Sequence, residues 1–352
     1  MGFYDMLQLD PAALKNAMRS AETGREKRRF FAAMALRALL LVAFAMVIIM
    51  PSGALFGSEN NPVAVALFCV LLSIRFVDFG YCVRDSLINL FLIFLLLLLA
   101  PIVNEGLPLP LATVLHLAFL FTILRMSSDA PEMGNGGLYG FAYVYLTGSP
   151  VRGALLVKRA ELMALGYVLC ALIFYQKHHK KHGEMRYRYI AKSFDLKTKK
   201  SRWQLRMALG VSASLALGQL LQLERFMWAG FAAASVLSTY SDGSAVRERL
   251  SHRILGVLEG SLLFFLIYQL LPEALHGLMG PLGGICLGFC TEYRFKTALN
   301  CLGALLLASG LYGLHGAVLL RIYNNLLGVG FGICTMVLFD ELVERRWGKE
   351  TV

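Results

Sequence analysis

Three polar residues stand inside a long apolar segment near the end of the sequence. The segment runs from Gly310 to Asp340 and contains Arg321, Asn324 and Asn325. A cation near the centre of a membrane-spanning helix costs roughly 2.5–3.5 kcal/mol on insertion scales, so it normally faces a cavity or a polar partner rather than lipid. Arg321 is therefore a candidate for a functional role on a pathway through the membrane. The two asparagines fall on the same side of the helix and join it as pathway candidates.

A matching pair of residues lies upstream. Gly328 follows Arg321 by seven positions, and Gly166 follows Arg159 by seven positions. The spacing predicts that the two arginines are counterparts in two halves of the chain, and that Gly328 allows close helix packing. Three interpretations of the arginines are open: they line the pathway, they hydrogen-bond to carbonyls at helix ends, or they lie at the membrane surface.

A second group of charges lies where the ninth predicted span begins. Arg249 and Arg253 are four residues apart, as are Gly256 and Gly260, so each pair shares one face of a helix. The glycine pair predicts close packing against another helix. The arginine pair favours an anion-attracting entrance over side chains that reach back to lipid headgroups. Glu259, in the same span, is the candidate for proton coupling because a carboxyl within a membrane can change its charge state.

Aromatic residues are candidates for contacting the apolar part of a substrate. Tyr139, Tyr312 and Trp228 lie in or beside predicted spans. Aromatic side chains near span ends are also typical of the belt at the membrane surface, so that alternative is open. Arg84, beside the third predicted span, is the remaining pathway candidate, and with Arg159 it would supply the positive charge of the first half.

Membrane-spanning helices must position these residues, and the composition predicts such helices. The chain of 352 residues is 57% hydrophobic and 16% charged, with a mean hydropathy of +0.61. Apolar runs recur at about the 20-residue length that crosses a bilayer as a helix, and they predict an all-α integral membrane protein with about twelve spans.

Three predicted boundaries bear on the site. Span one covers 30–50 and stops at Pro51, a charged inner loop covers 238–251, and the last span begins near Gly316 after a turn. A turn at Asn324–Asn325 is an alternative, and it would place Arg321 at the outer surface.

A fixed offset indicates that the chain is duplicated. The tetrapeptide Gly-Leu-Tyr-Gly begins at Gly137 and again at Gly310, and Met-Ala-Leu begins at Met34 and again at Met207, in both cases 173 residues apart. Two markers with one offset predict two halves, each of six spans. Because six is even, the halves are parallel repeats about an axis along the membrane normal, forming a pseudo-dimer with the pathway near that axis.

Basic residues predict the orientation and the domain limits. Cations at 25–29 place the amino terminus in the cytoplasm, and eleven Lys and Arg against two acidic residues between 176 and 206 form a linker on the same side. The predicted division is a cytoplasmic N-terminal segment at 1–29, a first six-helix repeat at 30–175, the basic linker at 176–202, a second six-helix repeat at 203–340 and a cytoplasmic tail at 341–352. Attraction to anionic lipid headgroups explains the linker charge, and a regulatory role is the alternative.

Several classes of function are not expected. The seven cysteines form no C-x-x-C pair, which predicts neither a metal site nor a cofactor. The sequence shows no nucleophile with a nearby base and no phosphate-binding loop, so we do not expect an enzyme. Since one linker holds most of the positive charge, nucleic acid is not an expected partner.

Short motifs resemble those of one superfamily. They are Trp228-Ala229, His252-Arg253-x-x-Gly256-Val257-x-x-Gly260, and Arg321 with Gly328. They are similar to motifs of the fusaric acid resistance and aromatic acid exporter superfamily and of the membrane domain of plant aluminium-activated malate channels, with His252 and Val257 in place of Asn and Thr. In the first half, Arg84 and Arg159 match that pattern.

The resemblance implies a pseudo-dimer of six-helix units around a central, arginine-lined anion route, and efflux of aromatic carboxylates. The leading hypothesis is a bacterial-type inner-membrane transporter with both termini cytoplasmic, which exports small organic anions with proton coupling through Glu259. The alternatives are a passive anion channel that uses the same arginines and a non-transporting membrane scaffold whose basic linker recruits lipid or a partner. A homo-oligomer is also open, and the sequence does not fix the substrate, the direction or the coupling ion.

Overall fold

The computed structural model describes residues 2–240 and 243–347, and every regular element in those ranges is helical. The last five residues of the predicted cytoplasmic tail, 348–352, lie outside the described residues. The helices are α1 (Phe3–Gln8), α2 (Pro11–Ser20), α3 (Gly24–Phe56), α4 (Asn61–Ile74), α5 (Val83–Gly106), α6 (Leu109–Ser127), α7 (Asn135–Thr147), α8 (Ala154–His178), α9 (Tyr187–Lys192), α10 (Lys199–Leu220), α11 (Met227–Leu237), α12 (Gly243–Leu270), α13 (Met279–Leu287) and α14 (Tyr293–Trp347).

Within the described ranges, five helices are long and apolar enough to cross a membrane. They are α3, α5, α6, most of α12 and most of α14. Two shorter apolar segments, Ser58–Ile74 and Met227–Leu237, contain α4 and α11. The helical membrane class therefore agrees with the prediction. The arrangement of about twelve spans in two parallel repeats stays a prediction.

The first long helix ends later than predicted. Helix α3 continues through Pro51 to Phe56, so the predicted stop at Pro51 is wrong. Proline removes only its own N–H from the helix, and the helix can continue beyond the lost hydrogen bond. The chain leaves the helix at Gly57, whose φ of 93° suits a residue without a side chain and whose N–H still donates to the Gly53 carbonyl at 3.0 Å.

The structure also tests two later predicted boundaries. Helix α12 begins at Gly243, so most of the charged inner loop predicted at 238–251 is helical. Helix α14 is interrupted at Gly313, where φ is 68° and ψ is 170°. The backbone is helical at Asn324 and Asn325, so the alternative turn at those residues is wrong.

The chain divides into two compact units. The first unit contains Met1–Val47 and Arg247–Tyr323, and the second contains Ile48–Val246 and Asn324–Val352. In the first unit the amphipathic α2 buries Leu14 with Met6 of α1 and Met34 of α3, and Phe289 packs on this cluster. In the second unit α10 packs against α6 and α11, while α5 packs against α6, α7 and α8.

Candidate functional site

Two arginines of α12 meet one tyrosine in the first unit. Arg249 and Arg253 are one helical turn apart, and both lie against Tyr293 at the start of α14. The Arg249 guanidinium lies 4.4 Å from the centre of the Tyr293 ring, and Arg253 Nη1 donates to the Tyr293 hydroxyl at 3.5 Å. A cation over an aromatic face is attracted by the ring electrons, so Tyr293 contributes to holding the two guanidinium groups at this position.

Arg321 adds a third guanidinium in the same unit. It lies on the second part of α14, is 5% exposed, and hydrogen-bonds to the side chain of Cys301. The Cys301 thiol in turn donates to the Thr297 carbonyl at 3.4 Å. Arg321 also lies within electrostatic range of Arg253. Two like charges held close together in apolar surroundings repel, and an anion between them would offset that repulsion.

Two glycines bring α12 close enough to α14 to form this group. A side chain at Gly256 would begin 2.5 Å from the Arg294 carbonyl oxygen, and one at Gly260 would begin 2.4 Å from the Ala298 carbonyl oxygen. Both distances are shorter than any normal contact, so the backbones of the two helices approach closely only because neither position has a side chain.

Glu259 forms an ion pair in the same unit. Arg294 engages both carboxylate oxygens, with its Nε donating to Oε2 at 2.8 Å and its Nη2 donating to Oε1. The Glu259 side chain is 37% exposed, so it is not deeply buried. A bidentate pair holds the carboxylate in its charged form. Proton coupling through Glu259 would therefore require this pair to open, and that role stays a prediction.

Arg159 has a different environment, in the second unit. It is fully buried, and its Nε, Nη1 and Nη2 atoms donate to Asn60 Oδ1 at 2.8 Å, the Ser149 carbonyl at 2.7 Å and the Glu59 carbonyl at 3.1 Å. Asn60 also donates to the carbonyls of Phe56, at 2.8 Å, and Leu155, at 3.1 Å. The guanidinium thus joins the turn after α3 to the turn before α8. This arrangement fits the interpretation in which the arginine bonds to carbonyls at helix ends.

The asparagines and the glycine that follow Arg321 lie in the second unit. Asn324 and Asn325 are buried, and Asn324 Nδ2 donates to the Glu224 carbonyl at 3.0 Å. A side chain at Gly328 would begin 2.1 Å from the Ala229 carbonyl oxygen, so α14 packs directly on α11 at this position. These contacts orient the second part of α14.

The remaining predicted site residues lie apart from the arginines of the first unit. Arg84 is exposed at the start of α5 in the second unit. Tyr139 and Trp228 are buried in that unit, where Tyr139 contacts the Phe79 ring and Arg225 lies 6.0 Å from the Trp228 ring. Tyr312, in the first unit, is partly buried beside the break in α14. Their contact with a substrate stays a prediction.

Four cations of the basic linker pair with carboxylates of the second unit. The pairs are Lys181 with Asp78, Arg186 with Asp85, Lys200 with Asp129, and Arg206 with Asp340. At Asp78, burial opposes ionisation, but the Gly80 N–H, Lys181 and His182 outweigh burial and lower the pKa of the carboxyl. Part of the linker charge therefore holds the linker against the helix ends. Its attraction to anionic lipid stays a prediction.

Several residues that the sequence-based reasoning missed also belong to these arrangements. Tyr293 and Arg294 contact the arginines and the carboxylate of the first unit. His116 is 2% exposed inside the apolar α6 of the second unit. An ionisable residue within an apolar run is the signal that identified Arg321, and it could have identified His116 as well.

Part of the chain is similar to a known protein family. Residues 212–335 match the family described as Fusaric acid resistance protein-like. The match confirms the predicted resemblance over a segment that contains Trp228, Arg253 and Arg321. No curated protein and no solved structure matches the chain. The long apolar helices, together with this match, support a multi-pass helical membrane protein.

Proposed function

We propose that this chain, whose residues 212–335 match the fusaric acid resistance protein-like family, is a secondary transporter that exports small organic carboxylates. Aromatic carboxylates fit the chemistry best, because the cations of the first unit stand beside an aromatic ring. The protein would work in a bacterial-type inner membrane with both termini in the cytoplasm.

One observation carries the proposal: Arg321 and Arg253 come from different helices and lie within electrostatic range of each other among apolar helices. Two like charges at short range repel each other, and a negative charge bound between them reduces that repulsion. A carboxylate supplies that charge, and it accepts hydrogen bonds from guanidinium groups in a planar geometry. The arginines would therefore select for anions.

Tyr293 supports the preference for aromatic substrates. Its ring is held against Arg249, and its hydroxyl accepts from Arg253. A flat substrate could use the same surface, with its ring on the tyrosine and its carboxylate on the arginines. Arg159, whose donors are engaged by Asn60 and two carbonyls, is better suited to support the fold than to bind the substrate.

The experiment is counterflow of labelled benzoate into liposomes that contain the purified protein. Arg321→Gln and Arg253→Gln should each lower the initial rate about tenfold or more, since a hydrogen bond to a charged group is worth about 1.5–3 kcal/mol. Unlabelled malate should compete only weakly with benzoate. Unlabelled choline, a cation, should not compete.

Arg188→Gln is the matched control. Arg188 is an exposed linker arginine that lies 4.9 Å from the Tyr189 ring, so its loss should change the rate by less than about twofold. Equal benzoate flux in wild type and Arg321→Gln would contradict the proposal.

Currents that follow the benzoate gradient without pH dependence would indicate the passive channel instead. If linker neutralisation abolished function while no anion crossed the membrane, the scaffold hypothesis would be favoured.

A further inference from the structure

A buried polar network joins four helices of the second unit. His116 of α6 and Tyr143 of α7 are 2% and 0% exposed, and His116 Nδ1 lies 2.6 Å from the Tyr143 hydroxyl. His116 Nε2 lies 3.3 Å from Asn104 Oδ1 on α5, and the same oxygen accepts from Gln219 on α10. Burying this much polar surface between apolar helices is expensive, so such residues are usually functional.

The hydrogen bonds define which ring nitrogen carries the proton. Asn104 Oδ1 only accepts, so Nε2 of His116 must be the N–H that donates to it. Nδ1 is then left without a proton and accepts from the Tyr143 hydroxyl. A second proton can bind only at Nδ1, and the Tyr143 oxygen would then have to accept rather than donate. Protonation of His116 therefore changes a contact between α6 and α7.

The network has one end near the surface. His116 lies seven residues into α6, about 10 Å from its first residue. Asn104 and Gln219, which are only partly buried, lie between the histidine and the ends of α5 and α10. In the predicted orientation these ends face outside. A proton from outside would meet the amides first and the histidine second.

We propose that His116 is a proton-binding site that couples proton entry to export of the carboxylate, a role that rests on the proposed function. The groups that face it are Tyr143 from α7, Asn104 from α5 and Gln219 from α10. The nearest carboxylate along α5 is Glu105, which is paired with Arg152 at 2.8 Å. Helix α9 contacts α6 at its opposite end, through Arg125.

A single proton moves in each step. It binds at Nδ1 of the neutral His116 ring when α6 and α7 are accessible from outside, and it leaves from the same atom after the helices have rearranged. No bond other than N–H forms or breaks, and no electron is transferred. Because the Tyr143 hydroxyl must reverse its hydrogen bond each time, the two helices sense the charge state of the ring.

The test compares two kinds of benzoate transport in liposomes. His116→Gln should lower pH-gradient-driven accumulation about tenfold, because a glutamine cannot carry the proton, while benzoate counterflow without a gradient should stay within about twofold of wild type. His179→Gln is the matched control, since His179 is an exposed histidine of the same unit that stacks on the Tyr175 ring. Unchanged accumulation in His116→Gln would overturn the inference.

A parallel variant separates this site from the sequence-based candidate. Glu259→Gln should leave the pH-gradient-driven accumulation intact if His116 carries the proton. Loss of accumulation in Glu259→Gln together with full accumulation in His116→Gln would assign coupling to the first unit and overturn the inference. Absence of any benzoate counterflow by the wild type would instead show that the proposed function itself is wrong.

Tyr143→Phe covers the case in which His116→Gln does not fold. It keeps the histidine and its bond to Asn104, and removes only the hydroxyl that donates to Nδ1. The pH at which accumulation is half-maximal should change by at least about half a unit, since losing one such hydrogen bond is worth about 1 kcal/mol. A merely structural network would lower the amount of folded protein without moving that pH, and this result would refute the coupling role.

Discussion

Replacing Arg159 should destabilise the second unit rather than block an anion pathway. The Arg159→Ala change removes three hydrogen bonds from a fully buried guanidinium. It also leaves the Asn60 side chain and the carbonyls of Glu59 and Ser149 without their donor. A hydrogen bond to a charged group contributes about 1.5–3 kcal/mol, but bonds to one group are not independent. Each buried acceptor left unsatisfied costs about 1–3 kcal/mol, so the total for three coupled acceptors is about 3–5 kcal/mol.

The expected loss corresponds to a large fall in melting temperature. For domains of this size, 1 kcal/mol lowers the melting temperature by about 2–4 °C, so Arg159→Ala should melt on the order of 10 °C below wild type. Tryptophan fluorescence in detergent is a suitable measurement, because Trp203 and Trp228 are both buried in the second unit. Arg159→Lys keeps the charge but not the planar guanidinium group, so its melting temperature should lie between those of wild type and Arg159→Ala.

Arg152→Ala is the control for this measurement. Arg152 stands before the same helix, its side chain is 79% exposed, and it pairs with Glu105 at 2.8 Å. Exposed ion pairs contribute about 0–1 kcal/mol, so this variant should melt within a few degrees of wild type. A folded Arg159→Ala protein with the wild-type melting temperature but no benzoate counterflow would refute the structural interpretation and place Arg159 on the pathway.

Two further changes test the packing and the linker. Gly260→Ala should lower the melting temperature measured by circular dichroism, because its methyl group would start 2.4 Å from the Ala298 carbonyl oxygen. Overpacking of this kind costs about 1–3 kcal/mol. Gly330→Ala is the control, since a methyl group there meets nothing within 4 Å and the melting temperature should not change. Asp78, whose pKa is lowered in the folded protein, stabilises the fold fully above its ordinary value of 3.8 and loses this effect as the pH falls through the lowered pKa. The difference in melting temperature between wild type and Asp78→Asn should therefore shrink below about pH 4, and a constant difference down to acid pH would contradict the role of the Asp78–Lys181 pair.

Local sequence patterns predicted the elements more successfully than the contacts between them. Apolar length was sufficient to predict α5 and α6, and the break at Gly313 agrees with the turn predicted before Gly316. A stop at Pro51 places the end of α3 too early, because the chain leaves the helix only at Gly57. A proline removes one hydrogen bond, whereas a glycine with positive φ redirects the chain, and the second effect is decisive here.

Side-chain partners could not be predicted because they depend on which turns meet. Nothing near Arg159 in the sequence indicates that Asn60 and Glu59 supply its acceptors, since they are about 100 positions away. The partner of Glu259 is likewise on a different helix, at Arg294. For the same reason the basic linker could be recognised by its charge, but not the carboxylates that hold it.

The last helix of each predicted half carries one glycine that lies close to another helix. Gly166 of α8 faces the end of the Leu67 side chain of α4, whereas Gly328 of α14 faces the backbone of Ala229 in α11, which leaves no room for a side chain on the glycine. The two glycines are 162 positions apart, and so are their two partners. This spacing differs from the 173 positions that separate the two copies of Gly-Leu-Tyr-Gly and of Met-Ala-Leu. The arrangement of two parallel six-helix repeats itself stays a prediction.

The two arginines share this offset but not their surroundings. Arg159 and Arg321 are also 162 positions apart, so they occupy equivalent places relative to the packing glycines. Arg159 donates to two carbonyls and an amide, whereas Arg321 bonds to the Cys301 thiol and lies near a second cation, Arg253. Neutral acceptors fix a guanidinium in place, while a nearby cation makes an incoming anion favourable. If both arginines lined the pathway, Arg159→Lys and Arg321→Lys would reduce benzoate flux equally in folded protein. We expect instead that the first change lowers mainly stability and the second lowers mainly flux.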